Sequence, residues 1–452
     1  MLTIYGSPDK RSGHCDGLTR RAFLKIGGMA AGGLSLSQLL GVEALAGTGR
    51  SHKAIINIFL VGGPSHLDMF DLKPDAPSEI RGEFNPIKTN VPGIEICELF
   101  PRMARMMDKF AIIRSIADSE GRHDSFQCMT GRTRNQTEPA GGWPMLGSWV
   151  SKVKGPVNPG VPANLSLVYP VWGGSGNAGF IGSAHAPMSL VERDPKASPS
   201  NMTLKGITLE RLRDRERLVK SMDNFRRTLD NSEAVASMDT YNQQAMSILS
   251  SLGLADALDL SKEDPAVVER YGKNDPAYQR DGAPKMVRNF LRARRLVEAG
   301  ARVVSLNYSR WDWHGPDGLN FPRSRQEFPL LDQGLSALVT DLHERGMDKD
   351  VSVVVWGEFG RTPRINKQNS RDHWPQVSFA LLAGGGMRTG QVIGATNRYG
   401  EHVSERPVRF GEVFATLYHN VGINLNKATV VDLQGRPHFL VDSGVEPIRE
   451  LV

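Results

Sequence analysis

Cysteine is nearly absent from this chain: Cys15, Cys97 and Cys128 are the only three in 452 residues. A disulfide framework is excluded, and for Cys97 and Cys128 two readings stay open, one bridge or two buried thiols. Long apolar runs are as scarce. The one soft stretch, Ile26 to Val42, is broken by Gly27, Gly28, Gly32, Gly33 and Gly41, which makes it too short and too glycine-rich for a stable membrane span. No other run approaches that length. An excess of one charge is missing too, because 55 Lys and Arg face 49 Asp and Glu for a formal +6. The basic residues are scattered among acids with no long basic stretch, so no nucleic-acid partner is expected, although an anionic substrate would not be repelled. No internal repeat and no low-complexity segment follows the N-terminal region. What remains, 40% hydrophobic and 23% charged residues, is the composition of a globular chain.

The N-terminal region has its own order. Thr19-Arg20-Arg21-Ala22-Phe23-Leu24-Lys25 precedes the soft apolar run, and Ala44-Leu45-Ala46 then supplies a small-x-small cleavage site before Gly47. Paired arginines, apolar core and cleavage site in that sequence look like a twin-arginine export signal over residues 1–46. The expectation is a protein handed to the twin-arginine export machinery already folded, with a periplasmic or extracellular destination. Residues 47–452 would then form the working domain. No cysteine follows the cleavage point, which argues against a lipid anchor. Folding before export suits a protein that acquires a metal inside the cell.

Within that domain, short β-branched runs recur at Ala54 to Val61, Phe110 to Ile113, Leu165 to Tyr169, Arg302 to Leu306, Val351 to Trp356 and Val377 to Leu382. Such runs suit strands covered on both faces. Helical patterns lie between them, at Lys205 to Leu252, Pro284 to Ala299 and Ser324 to Arg345. In the last, Phe328, Leu331, Leu335, Leu338, Val339 and Leu342 form one apolar stripe. The alternation predicts a layered α/β fold with a mostly parallel sheet. Residues from about 195 to 290 are helix-rich and charged, and read as a helical insertion or cap.

Metal-binding residue types gather just after the predicted strands, where open α/β sheets place ligand sites. Strand one ends in Gly62-Gly63-Pro64-Ser65-His66-Leu67-Asp68, in which His66 and Asp68 would project together from an extended segment. After the Arg302 to Leu306 strand comes Trp311-Asp312-Trp313-His314-Gly315, with the same spacing and two tryptophans to lower the local dielectric. A third strand ends in Trp356-Gly357-Glu358-Phe359-Gly360-Arg361, and Arg371-Asp372-His373 follows. Glu358 between glycines is poorly placed to pack in a core, which suits a ligand or a general base. Asp372 reads equally as a direct ligand, as a group that orients His373, or as a cap. A fourth segment is Arg114-Ser115 and then Gly121-Arg122-His123-Asp124-Ser125, where Asp124 or Ser125 would start a helix that Gly131 stops. Arg114, Arg122, Arg132, Arg361 and Arg371 are the available anion-binding cations, of which one or two are expected in a pocket. The six candidates His66, Asp68, Asp312, His314, Glu358 and His373 exceed one tetrahedral site. One or two divalent ions fit them, zinc or manganese first by ligand type and calcium after. Two ions would clamp a transferring phosphoryl or sulfuryl group.

These segments, with Glu79-Ile80-Arg81-Gly82-Glu83-Phe84 and Thr362-Pro363, occur in the order that resembles a bacterial family of secreted proteins known as domain of unknown function 1501. That family is placed in the alkaline phosphatase and sulfatase superfamily. The resemblance spans nearly all of residues 47–452. It implies a three-layer α/β/α sandwich with one or two divalent metals at the strand ends, Asp312 and His314 resembling ligands of one metal and His373 the late histidine ligand. Two departures matter. The superfamily's aspartate close behind the first strand is replaced by Gly62-Gly63, and the sulfatase aldehyde-forming Cys or Ser has no counterpart ahead of Thr130-Gly131-Arg132, with Cys128 too close to match. A formylglycine sulfatase is thereby set aside. Ser125 or Ser115 is then the candidate nucleophile, with His123 a ligand or phospho-acceptor, unless metal-activated water serves instead.

The leading expectation is an exported metal-dependent hydrolase of phosphate or sulfate esters, acting on a small or polymeric anionic substrate. The alternative is a non-catalytic binder of a polyanion such as a sulfated polysaccharide, using arginines and exposed tryptophans. A mutase or transferase ranks behind both, since export removes it from nucleotide and sugar-phosphate pools.

Overall fold

The computed structural model describes residues 52–134, 137–171, 177–191, 253–315 and 318–452. The expected signal segment, and the helical pattern at Lys205 to Leu252, lie outside those residues.

The first β-branched run forms strand β1 (Ala54–Phe59), every residue of it buried. Successive strand side chains point to opposite faces, so Ile56 and Ile58 enter one core cluster while Ile55 and Phe59 enter a second. Only a strand covered on both faces permits this, which is why the run is apolar throughout rather than alternating. Asn57 is the exception, and it is satisfied: its Oδ1 accepts Trp356 Nε1 at 2.9 Å and its Nδ2 donates to the Cys128 carbonyl at 3.2 Å.

Seven further strands join β1 among the described residues: β2 (Phe110–Ile116), β3 (Asn164–Leu167), β4 (Met188–Ser189), β5 (Val303–Asn307), β6 (Val351–Trp356), β7 (Ser378–Gly384) and β8 (Gln391–Ile393). Their spatial order is β8-β2-β7-β6-β1-β5-β3-β4. β1 is parallel to β5 and β6, β3 to β5 and β4, and β2 to β8. Only β7 is reversed, antiparallel to both neighbours.

Helices α1 (Leu146–Lys154), α2 (Arg288–Ala299), α3 (Asn320–Glu344) and α4 (Phe410–Asn420) cover the sheet. α2 and α3 give Phe290, Leu291, Leu335 and Leu338 to the first cluster, and α1 and α4 give Trp149, Val413, Phe414 and Leu417 to the second. The result is the expected three-layer α/β/α sandwich around a mostly parallel sheet. The proposed insertion at about 195–290 is described only from residue 253. There Gly253–Leu258 and Pro265–Arg270 are helical, and Leu254, Ala257 and Tyr271 belong to the same cluster as α2.

Candidate metal centre

Because β1, β5 and β6 are parallel neighbours, their carboxyl ends share one edge of the sheet. β1 runs into Gly62 and Gly63, both left-handed, with φ of 110° and 77°. Glycine is required there for space as well as conformation. A Cβ on Gly62 would stand 2.5 Å from the Asp312 nitrogen, and one on Gly63 would stand 2.4 Å from the Phe359 ring. After β5, a left-handed turn at Ser309 (φ 59°), fastened by Ser309 Oγ donating to Glu327 Oε2 at 2.9 Å, directs the chain to Asp312 and His314. Glu358 follows β6 directly. His123 comes from the loop after β2, and His373 from a short ribbon in which Gly360–Arg361 pairs antiparallel with His373–Trp374.

These segments bring four ligand atoms to one point. Asp312 Oδ1 lies 3.0 Å from His314 Nε2, 3.1 Å from His373 Nε2 and 3.3 Å from His123 Nε2, while His123 and His373 approach Nε2 to Nε2 at 2.9 Å. All four atoms fall within 4.8 Å of one another. Ligand bonds of about 2.0–2.1 Å in tetrahedral geometry separate neighbouring ligand atoms by about 3.3 Å, so the spacing fits one divalent ion. The imidazole pair makes the same point, since two ring lone pairs at 2.9 Å repel unless a proton or a cation lies between them.

The surrounding groups fix this arrangement. Glu358 accepts from His123 Nδ1 at 3.1 Å and from the Gly62 amide at 2.8 Å. That hydrogen bond puts the His123 proton on Nδ1 and aims Nε2 at the cluster. Burial opposes charge on His123, but its bonds to Asp312 and Glu358 outweigh burial and raise its pKa to about 9, so without a cation Nε2 carries a second proton toward Asp312, one that a bound ion would replace. Burial would likewise raise the Asp312 carboxyl. Hydrogen bonds from His123 and His373 and the Arg361 guanidinium overcome it and hold the acid well below the usual carboxylate range. Burial lowers His314, whose Nδ1 lies 3.9 Å from Asp372 Oδ1. Phe359 packs against the His123 and His373 rings at 5.0 and 4.6 Å.

Of the candidate ligands, Asp312, His314 and His373 meet, and His123 completes the group. Among the described residues this is the one such group, so it offers a single site. Glu358 stands behind His123 rather than in the cluster. His66 and Asp68 do not join. His66 Nε2 faces the Gly400 carbonyl at 3.1 Å inside the core, and Asp68 is saturated by Arg371 at 2.8 and 3.0 Å, Asn320 at 2.7 Å and Ser65 at 2.6 Å. The expected extended segment is in fact a helical turn, His66–Met69, capped by Ser65.

The candidate nucleophiles and cations move as well. Ser115 is buried on β2 and donates to the Arg406 carbonyl at 2.7 Å. Ser125 is buried at the N-cap of Phe126–Thr130, a helix that stops, as expected, at left-handed Gly131. Arg371 spends its remaining donors on the Ile80, Thr362 and Pro363 carbonyls. Arg114 lies by Asp71 and the Glu95 carbonyl, and Arg132 by Asp442. Arg361 does reach the centre, donating to Asp312 Oδ1 at 2.8 Å, but its other bonds go to the Gly62, Gly63, Trp311 and Arg371 carbonyls. Trp311 and Trp313 are buried and pack together at 5.0 Å, as suits the apolar wall expected of them beside Asp312 and His314. Arg310, which the sequence reading passed over, donates to Asp312 Oδ2 at 3.3 Å.

A mostly parallel α/β/α sandwich with three histidines and an aspartate converging at its strand ends defines the class of this protein. Residues 52–452 match the family described as "Protein of unknown function (DUF1501)", and the chain belongs to that family. A search of curated proteins gives no match. Among solved structures it is similar to Ps i-CgsB in complex with k-i-k-neocarrahexaose, at 9% identity and TM-score 0.34 over 83% of this chain and 73% of that one. It is also similar to a sulfatase from Pseudoalteromonas sp., at 13% identity and TM-score 0.33 over 86% and 70%. A third is the phosphonate monoester hydrolase from Silicibacter pomeroyi, at 13% identity and TM-score 0.33 over 82% and 73%.

Proposed function

We propose that the protein is a metal-dependent hydrolase of phosphate or sulfate esters, with one divalent ion, zinc or manganese, held by His123, Asp312, His314 and His373. The convergence of three Nε2 atoms and one carboxylate oxygen within 4.8 Å carries this reading. When bound, such an ion supplies a Lewis acid that polarises an ester oxygen and makes water more acidic. The chain's own residues do the rest. Glu358, itself held by the Gly62 amide, holds His123, Arg361 holds Asp312, and Phe359 keeps two of the rings in place. The three imidazoles are partly exposed, which leaves the solvent side of the group open to a substrate. With Ser115 and Ser125 both buried, water is favoured over a side-chain nucleophile. The choice of ester rests on the motif order that resembles the alkaline phosphatase and sulfatase superfamily. Arg20-Arg21 ahead of the glycine-rich run supports action outside the cytoplasm.

One observation favours a second reading. Four protein ligands can close a tetrahedral shell, as structural zinc sites do, which suits a non-catalytic polyanion binder on the same fold.

The test is metal content of protein purified without chelator. One ion per chain is expected in the wild type and none in H314A, where a half-buried ring is removed at little structural cost. D312N also loses the ion, but strands the buried Arg361 guanidinium at a cost of about 3 kcal/mol in stability. Full metal retention in both variants refutes the site. Ester turnover by the metal-loaded wild type separates the hydrolase from the binder.

A further inference from the structure

Resting on the ester-hydrolase reading, we infer that Arg310 is the residue that grips the substrate's tetrahedral oxyanion, the phosphoryl or sulfuryl group, beside the metal. Every arginine expected to bind an anion is committed elsewhere or unfixed. Arg361 and Arg371 are buried with each guanidinium nitrogen bonded to a carbonyl or carboxylate. Arg114 and Arg132 are held by Asp71 and Asp442, away from the four ligand atoms. Arg122, next to His123, is exposed, and no hydrogen bond among the described residues fixes its side chain.

Arg310 differs in geometry. Its Nε donates to Asp281 Oδ1 at 2.5 Å and its Nη2 to Asp312 Oδ2 at 3.3 Å, on the opposite side of that carboxylate from the three histidines. Arg310 is 6% exposed, and its Nη1 has no partner among the described residues. Two nitrogens of the fork are thus clamped, and Nη1 is the donor left for a ligand. Gly282 supports this placement, because a Cβ there would stand 2.3 Å from Arg310 Cβ, so the Asp281 segment can pack directly on the arginine. A guanidinium fixed by two carboxylates loses little freedom when its last nitrogen takes an oxygen, and it presents a planar donor matched to a tetrahedral oxyanion.

The experiment is calorimetric titration of the full-length protein, zinc-loaded, with inorganic phosphate in one arm and inorganic sulfate in the other. Wild type, R310Q and R310K are compared, with zinc content measured for each. The wild type is expected to bind at least one of the two anions, and the arm that responds names the ester class. R310Q should bind it about ten- to a hundredfold more weakly at unchanged zinc content, the loss of one charge-assisted bond, with R310K in between. Equal affinity in R310Q, or no binding of either anion by the zinc-loaded wild type, overturns the assignment. Zinc loss in R310Q also overturns it, since Arg310 would then serve to hold Asp312. A wild type that takes up no metal at all refutes the underlying hydrolase reading instead, and the two failures are told apart by the zinc measurement.

Discussion

His123 and Glu358 lie 3.1 Å apart, Nδ1 to Oε1, across 235 residues of sequence, and this contact decides which nitrogen of His123 faces Asp312 and His373. A carboxylate can only accept here, so it fixes the tautomer and stiffens the ring. Removing such a partner typically lowers metal affinity 10- to 100-fold. E358A is expected to weaken zinc binding by about that factor, in competition titrations against a chromophoric chelator, while E358Q, which can still accept through its carbonyl oxygen, falls between E358A and wild type. Unchanged affinity in E358A would show that Phe359 packing alone orients the ring.

Asp68 and Arg371 form a two-bond pair with neither side chain exposed beyond 1%. Sequence spacing offered them as ligand and anion binder, and the structure makes them a buried strut. R371M leaves Asp68 ionised without a counter-charge, and breaking such a pair costs about 3–5 kcal/mol. A lowered urea midpoint is therefore expected, with one zinc still bound per chain at saturating metal. The double variant D68N/R371M should be less destabilised than R371M alone, because no uncompensated charge remains. A double variant as unstable as the sum of its singles would mean that the Ile80, Thr362 and Pro363 carbonyl contacts carry the effect.

The strand ends were legible because their signals are local. Continuous apolar runs marked β1, β5 and β6, and the polar residues after each run had to sit at one sheet edge once the strands were parallel. Asp312, His314 and His373 followed from that. What could not be read was which polar residue faces the cluster and which faces another side chain. His66 and Asp68 have the same spacing as Asp312 and His314, yet Ser65 caps a helical turn that carries them into the core. Glu358, read as a ligand or a general base, gives its oxygens to the Gly62 amide and to His123. Arg310 was passed over because the groups that fix its side chain, Asp281 and the close approach at Gly282, come from a loop distant from any motif. β4 and β8, of two and three residues, are too short to leave a periodic signal.

Cys97 and Cys128, for which a bridge was one open reading, are both free and fully buried. Burial pushes the Cys97 thiol up to about 12 and the Cys128 thiol well above its ordinary value. The thiolate is the reactive form, so neither should react with a disulfide reagent at pH 8 in the folded protein, and both should react once guanidinium unfolds it. Reaction of one thiol under native conditions would show that its side of the core opens locally.

Asp118 follows β2, and its Oδ1 accepts the Phe410 amide at the start of α4 at 3.1 Å. Burial raises its pKa to about 6, against the opposing pull of that backbone bond and of Arg409. The folded state therefore holds a proton that the unfolded chain releases near pH 4. Stability from this group is fully present below that value and is lost as pH rises through 6. Asn keeps the accepting oxygen without the charge, so D118N should melt a few degrees above wild type at pH 7.5, and the gap should close by pH 4. The readout is the melting temperature of both proteins across that range. Zinc content is expected to stay the same, since Asp118 touches none of the four ligands. If D118N instead melts lower at pH 7.5, the carboxylate's attraction to the α4 amide outweighs the cost of burying its charge.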